Sequence, residues 1–136
     1  MEEQDFFAAD DMIAAYSRAE AIADGVLVDV TQTAKEAGIR FPCAMTAAAW
    51  ETCVAWSDAD TQAQGVPQDE VGRLWDILMV LRHTARITNG DELRFTVLIV
   101  PRDGRAKRAR STELRATCGP GDTLEPVITI MLPDES

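Results

Sequence analysis

At 136 residues, 46% of them apolar and 26% charged, the chain has an ordinary globular composition and is long enough for one domain with a genuine core. Its net charge of −10 is unevenly spread: residues 1–92 carry 17 acidic against 6 basic side chains, and residues 93–136 carry 6 against 7. No apolar run approaches the roughly 18–20 residues that a membrane-spanning helix needs, and the acidic part should repel nucleic acid and attract basic surfaces.

The chain opens MEEQDFFAADD, the opposite of a signal peptide's basic start, so a cytoplasmic protein is expected. Residues 1–15 read as an acidic tail in which Glu2, Glu3, Asp5, Asp10 and Asp11 surround Phe6 and Phe7. Such a segment is either a plain terminus or an acidic-aromatic docking element. Ser17-Arg18-Ala19-Glu20 has the spacing of a capping box and predicts a short helix to about Ala23, with Gly25 as its left-handed stop. Val26–Val30 reads as a strand with Val26, Val28 and Val30 on one face, joining the edge of a sheet. Thr31 is expected to cap a second short helix closed by Gly38. Ile39–Pro42 must be extended, because the residue before a proline avoids helical geometry. Thr46 should cap a third helix, AAAWETCVAW, after which Ser57–Pro67 reads as the main loop.

Gln68–Ile87 is the longest helical pattern. Val71, Leu74, Trp75, Leu78 and Leu81 fall at steps of three and four and predict its buried stripe, which Ile77, Met79 and Val80 widen so that the helix is covered on more than one side, with Trp75 as the anchor against the sheet. Asp69 and Glu70 begin this helix and Arg82, His83 and Arg86 end it, matching its dipole, and Asn89-Gly90 should stop it. Beyond it the pattern turns to β. Leu93, Phe95, Val97 and Ile99 alternate with polar residues, as do Thr112, Leu114, Ala116 and Cys118, and then Ile128, Ile130 and Leu132. The turn residues Pro101–Gly104 and Gly119–Asp122 join these strands. The expected fold is α+β, a single domain over residues 1–136. N-terminal helices and a long central helix pack on a mainly antiparallel sheet of three to four strands.

Chemistry-bearing patterns are sparse. The three cysteines, Cys43, Cys53 and Cys118, are odd in number and widely spaced, so they read as buried thiols rather than a disulfide framework. One histidine and no Cys-x-x-Cys argue against zinc, and His83 has no cysteine beside it in sequence to activate. The loop acids lack calcium-loop spacing, and Gly119-Pro120-Gly121-Asp122 is a turn rather than a phosphate cradle. No catalytic residue, cofactor or metal is expected. Two charged surfaces remain as partner-binding candidates. One is the acidic set Asp58, Asp60, Asp69 and Glu70. The other is Arg102, Arg105, Lys107, Arg108 and Arg110, crowded on one hairpin tip. Positive charge on a β-ribbon suits phosphates or an acidic protein face, whereas the bland alternative is a solvated hairpin guarding a sheet edge.

Tyr16–Val30, Ala34–Trp56, Gly72–Leu78, Val100–Arg105 and Cys118–Pro133 together resemble a family of small cytoplasmic proteins of unassigned function, met on bacterial plasmids, integrative elements and phages. The resemblance runs from Tyr16 to Pro133 and brings no catalytic residues with it. It implies a non-enzymatic binding protein of a mobile element. The expected partner is a host or plasmid protein, such as a nuclease complex of a restriction or CRISPR defence. The alternative is a nucleic-acid-binding accessory protein for plasmid transfer or maintenance, using the basic hairpin 102–110.

Overall fold

The computed structural model describes residues 16–87 and 90–135; the acidic tail expected over residues 1–15, and Asn89 of the expected helix stop, lie outside them. The first element, α1 (Arg18–Ala23), starts as its capping box dictates. Ser17 Oγ accepts the Glu20 N–H at 3.0 Å and the Glu20 carboxylate accepts the Ser17 N–H at 3.1 Å. Gly25, at φ +80°, then turns the chain into β1 (Leu27–Asp29). Thr31 is not a cap but the first residue of α2 (Thr31–Glu36). Its hydroxyl donates to Asp29 Oδ1 and accepts the Cys43 N–H, tying the helix start to the next strand instead.

That next strand, β2 (Cys43–Thr46), runs directly into α3 (Ala47–Cys53), whose N-cap is Thr46, accepting the Ala49 N–H at 3.1 Å. Next come α4 (Asp58–Gln64), the 17-residue α5 (Glu70–Arg86), β3 (Glu92–Ile99), β4 (Arg110–Pro120) and β5 (Pro126–Met131). The sheet order is β1-β2-β5-β4-β3. All its pairs are antiparallel except β2 with β5. The sheet thus has five strands, not three to four. The one missed was β2. Cys43, Ala44 and Met45 are all 0% exposed, so the strand has no polar face to produce an alternating pattern.

Segment 57–67 is likewise not a loop. Ser57 and Asp60 form a second capping box, and Gly65 closes α4 at φ +70°. The three-residue spacing of that box outweighs the turn-rich composition.

The core lies between one sheet face and the helices. Leu74, Ile77, Leu78 and Leu81 of α5 pack with Phe95, Val97, Leu114, Ala116 and Ile130, and α2 and α3 add Ala34, Ala49 and Cys53. The buried stripe of α5 is rotated from the expected one. Val71 is 67% exposed and Trp75 and Met79 are each 37% exposed, while Ile77, expected only to widen the stripe, lies at its centre and Arg73, expected outside it, is buried. Two rows spaced by four run along this helix, and only one can meet the sheet. The row Arg73–Ile77–Leu81, with Leu74 and Leu78, is the buried one, and Trp75 is not an anchor.

Candidate functional site

The two charged sets singled out in the sequence meet where α3, α4 and the start of α5 close on the β3–β4 loop. Asp60 Oδ2 accepts the Ser57 N–H at 2.8 Å and Arg102 Nε at 2.7 Å; Arg102 Nη1 also reaches Glu51 Oε2 at 3.0 Å. Asp60 is thereby held below the usual carboxylate range, mainly by the Ser57 backbone N–H and then by the hydroxyl and guanidinium beside it. Arg102 is shifted upward, first by its hydrogen bond to Asp60. One member of each candidate set therefore satisfies the other.

Most of the remaining acids have structural work as well. Asp69 is the N-cap of α5 and accepts the Val71 and Gly72 N–H groups at 3.3 and 3.2 Å. Glu70 accepts the Trp56 N–H at 2.9 Å. Asp58 sits exposed in the first turn of α4. Of the acidic set, it alone makes no side-chain hydrogen bond or ion pair among the described residues.

The loop that carries the basic segment is tied to the end of α4. Gln64, 1% exposed at the end of α4, donates Nε2 to the carbonyls of Pro101 at 2.9 Å and Ala106 at 2.6 Å, and accepts the Gly104 N–H at 3.0 Å. Asp103 accepts the N–H groups of Arg105 and Ala106 at 2.8 and 2.7 Å and is held below the usual range by those bonds, Ala106 first. Beneath the loop, Trp56, Val100 and Ala106 form a small apolar cluster of their own. Arg73 stacks 4.8 Å over the Trp56 ring and donates to the carbonyls of Val54 and Val100, both at 3.0 Å. Burial pushes its guanidinium below the ordinary arginine value. Trp56 Nε1 completes the unit by donating to Thr61 Oγ1 at 2.9 Å.

This framework fixes the loop backbone and leaves Arg105, Lys107 and Arg108 exposed on it, with Arg110 exposed at the start of β4. The Lys107 ammonium lies 3.7 Å from where a Cβ on Gly65 would stand, against the negative end of α4. Beside the loop, a 540 Å³ cleft is lined by Glu51, Thr52, Asp60, Ile99, Arg102 and Asp103. Glu51, Gln64, Arg73 and Trp56 were absent from the sequence-based site. The Ser57-x-x-Asp60 spacing was the available signal, since a helix there would have brought Gln64 and Asp60 to the loop.

No group of three or more His, Cys, Asp and Glu side chains among the described residues is arranged to hold a metal ion. Burial pushes the Cys43 thiol up to about 12 and the Cys53 thiol up to about 11, so neither is a nucleophile near neutral pH.

Fold and surface together define a small α+β protein that displays a fixed, mixed-charge patch. The chain belongs to the DUF6573 family, a family of unknown function whose model matches residues 3–136. That match takes in the segment before Tyr16, which the resemblance read from the sequence had left out. No curated protein and no solved structure matches the chain. No helix among the described residues is long and apolar enough to cross a membrane.

Proposed function

We propose that the protein is a non-enzymatic binding protein acting in the cytoplasm, and that its contact surface is the clamped β3–β4 loop with the acidic ridge of α4 beside it. Its partner is a protein of nucleic-acid-handling machinery. The specific reading is a mobile-element inhibitor of a host defence nuclease of the restriction or CRISPR type. The observation that carries the proposal is the fixed presentation of Arg105, Lys107, Arg108 and Arg110 around Asp103, next to the Arg102–Glu51 and Arg102–Asp60 ion pairs. Pre-ordered charges of both signs steer and register a complementary protein surface, without the ordering cost that a mobile loop would incur. The resemblance to small proteins of plasmids and phages supports the choice of partner.

The alternative reading is a nucleic-acid-binding accessory protein for plasmid transfer or maintenance. Four cations within a six-residue stretch favour it. Carboxylates on either side, in a chain of net charge −10, weigh against a phosphate backbone at this patch. Tagged protein incubated with host-cell extract at rising salt separates the two. A defence component retained at low salt and released as salt rises supports the inhibitor, and retention of none at any salt defeats it. Retardation of plain DNA at low salt, lost on charge removal at residues 105–110, supports the alternative instead.

A further inference from the structure

A second surface feature is independent of that patch. Near the start of β5, two adjoining depressions of 420 and 180 Å³ share Phe41, Leu81, Ala85 and Ile128. The floor is apolar, and Phe41 leaves 43% of its surface uncovered there. The larger depression is rimmed by Arg40, Arg82 and Arg86, and none of the three forms an ion pair among the described residues. Arg82 Nε lies 2.7 Å from where a Cβ on Gly38 would stand, so the side-chain-free stop of α2 is what lets this arginine lie across it. Asp91 and Glu92 flank only the smaller depression. A basic, apolar-floored groove of this kind fits an acidic segment carrying aromatic residues.

The chain contains such a segment. Residues 1–15 set Phe6, Phe7, Met12 and Ile13 among Glu2, Glu3, Asp5, Asp10 and Asp11. The family model begins at residue 3, so this segment is part of the matched unit. The segment joins the described chain beside β5, where the Arg18 guanidinium donates to the Ile128 carbonyl at 2.7 Å and to Thr129 Oγ1 at 2.8 Å, while the Ile128 side chain lines both depressions on the other face of the sheet. Fifteen residues span up to about 50 Å when extended, so reach is not limiting. We propose that residues 1–15 dock in this groove of their own chain, with Phe6 and Phe7 on the apolar floor and the acids against Arg40, Arg82 and Arg86.

Cys118 supplies a built-in reporter. It lines the smaller depression and is partly exposed, whereas Cys43 and Cys53 are fully buried. Site-resolved alkylation of the full-length protein by iodoacetamide, followed by mass spectrometry, reads how far Cys118 is covered. Alkylation of Cys118 is expected to quicken roughly tenfold in Phe6→Ser/Phe7→Ser and in Arg40→Glu/Arg86→Glu, a ratio equivalent to about 1.4 kcal/mol of docking. Adding Asp5→Lys/Asp10→Lys to the arginine variant is expected to slow it again. Equal Cys118 rates in the wild type and both double variants would overturn the proposal. So would a protection that grows with protein concentration, since the segment would then come from a second copy.

Discussion

Replacing Gln64 with methionine tests whether α4 truly clamps the basic loop. Methionine keeps the length and helix preference of the side chain and removes only its polar atoms. Three groups then lose their partner: the carbonyls of Pro101 and Ala106, and the Gly104 N–H. Ala106 is 6% exposed and Pro101 is partly buried, so water does not readily replace the amide at these two carbonyls, whereas Gly104 is exposed and its N–H is rehydrated. A buried polar group left unpaired costs about 1–3 kcal/mol, which for one fully and one partly buried carbonyl gives about 2–4 kcal/mol. Urea unfolding followed by tryptophan fluorescence reads this as a lower midpoint at unchanged slope. Amide exchange at Arg105 and Ala106 should quicken in parallel, because the Asp103 turn loses its backing. A stability change below about 0.5 kcal/mol, the range of an ordinary surface substitution, would refute the clamp.

Arg73→Met strips the partners from the Val54 and Val100 carbonyls and removes the stacking on Trp56. The expected loss is about 2–4 kcal/mol by denaturant unfolding, moderated because Arg73 Nη2 already lacks a partner. Gly121→Ala would set a Cβ 2.7 Å from Val127 Cγ1 and 2.9 Å from Glu125 Cδ. A loss of about 1–3 kcal/mol is expected from that overpacking, seen as a lower thermal midpoint. Because its folded pKa is depressed, Asp60 contributes stability that is complete above the ordinary aspartate value of about 3.9 and is withdrawn as pH falls through the lower folded value. The gap between wild type and Asp60→Ala in urea midpoint should therefore hold from pH 7 to about 5 and close below about 4; a gap that widens on acidification contradicts this.

Elements announced by a local rule could be read from the sequence with confidence in their place. The Ser17 and Thr46 caps and the alternation of Leu93–Ile99 follow from spacing within a few residues. What escaped was decided by tertiary context. β2 is a strand because β1 and β5 flank it, and buried on both faces it shows no period. The rotation of α5 depends on which of two apolar rows meets the sheet, and sequence offers both. The charged candidates were found one by one, but not their pairing, because Asp60 and Arg102 are brought together only once α4 is a helix packed on the loop. Gln64 and Arg73, polar residues in helices, carry no sequence mark of burial, yet they hold the surface in shape.

The most direct measurement on the proposed contact surface is a salt-resolved pull-down from host-cell extract, comparing wild type with Arg105→Glu/Lys107→Glu/Arg108→Glu. These three side chains are exposed and make none of the clamp's side-chain hydrogen bonds, so the variant should unfold within about 1 kcal/mol of the wild type, the difference being the Lys107 charge at the negative end of α4. The expected result is a defence-nuclease component retained by the wild type at low salt, eluted as salt rises, and absent from the variant at every salt. Retention of the same proteins by both would contradict the assignment of binding to this loop.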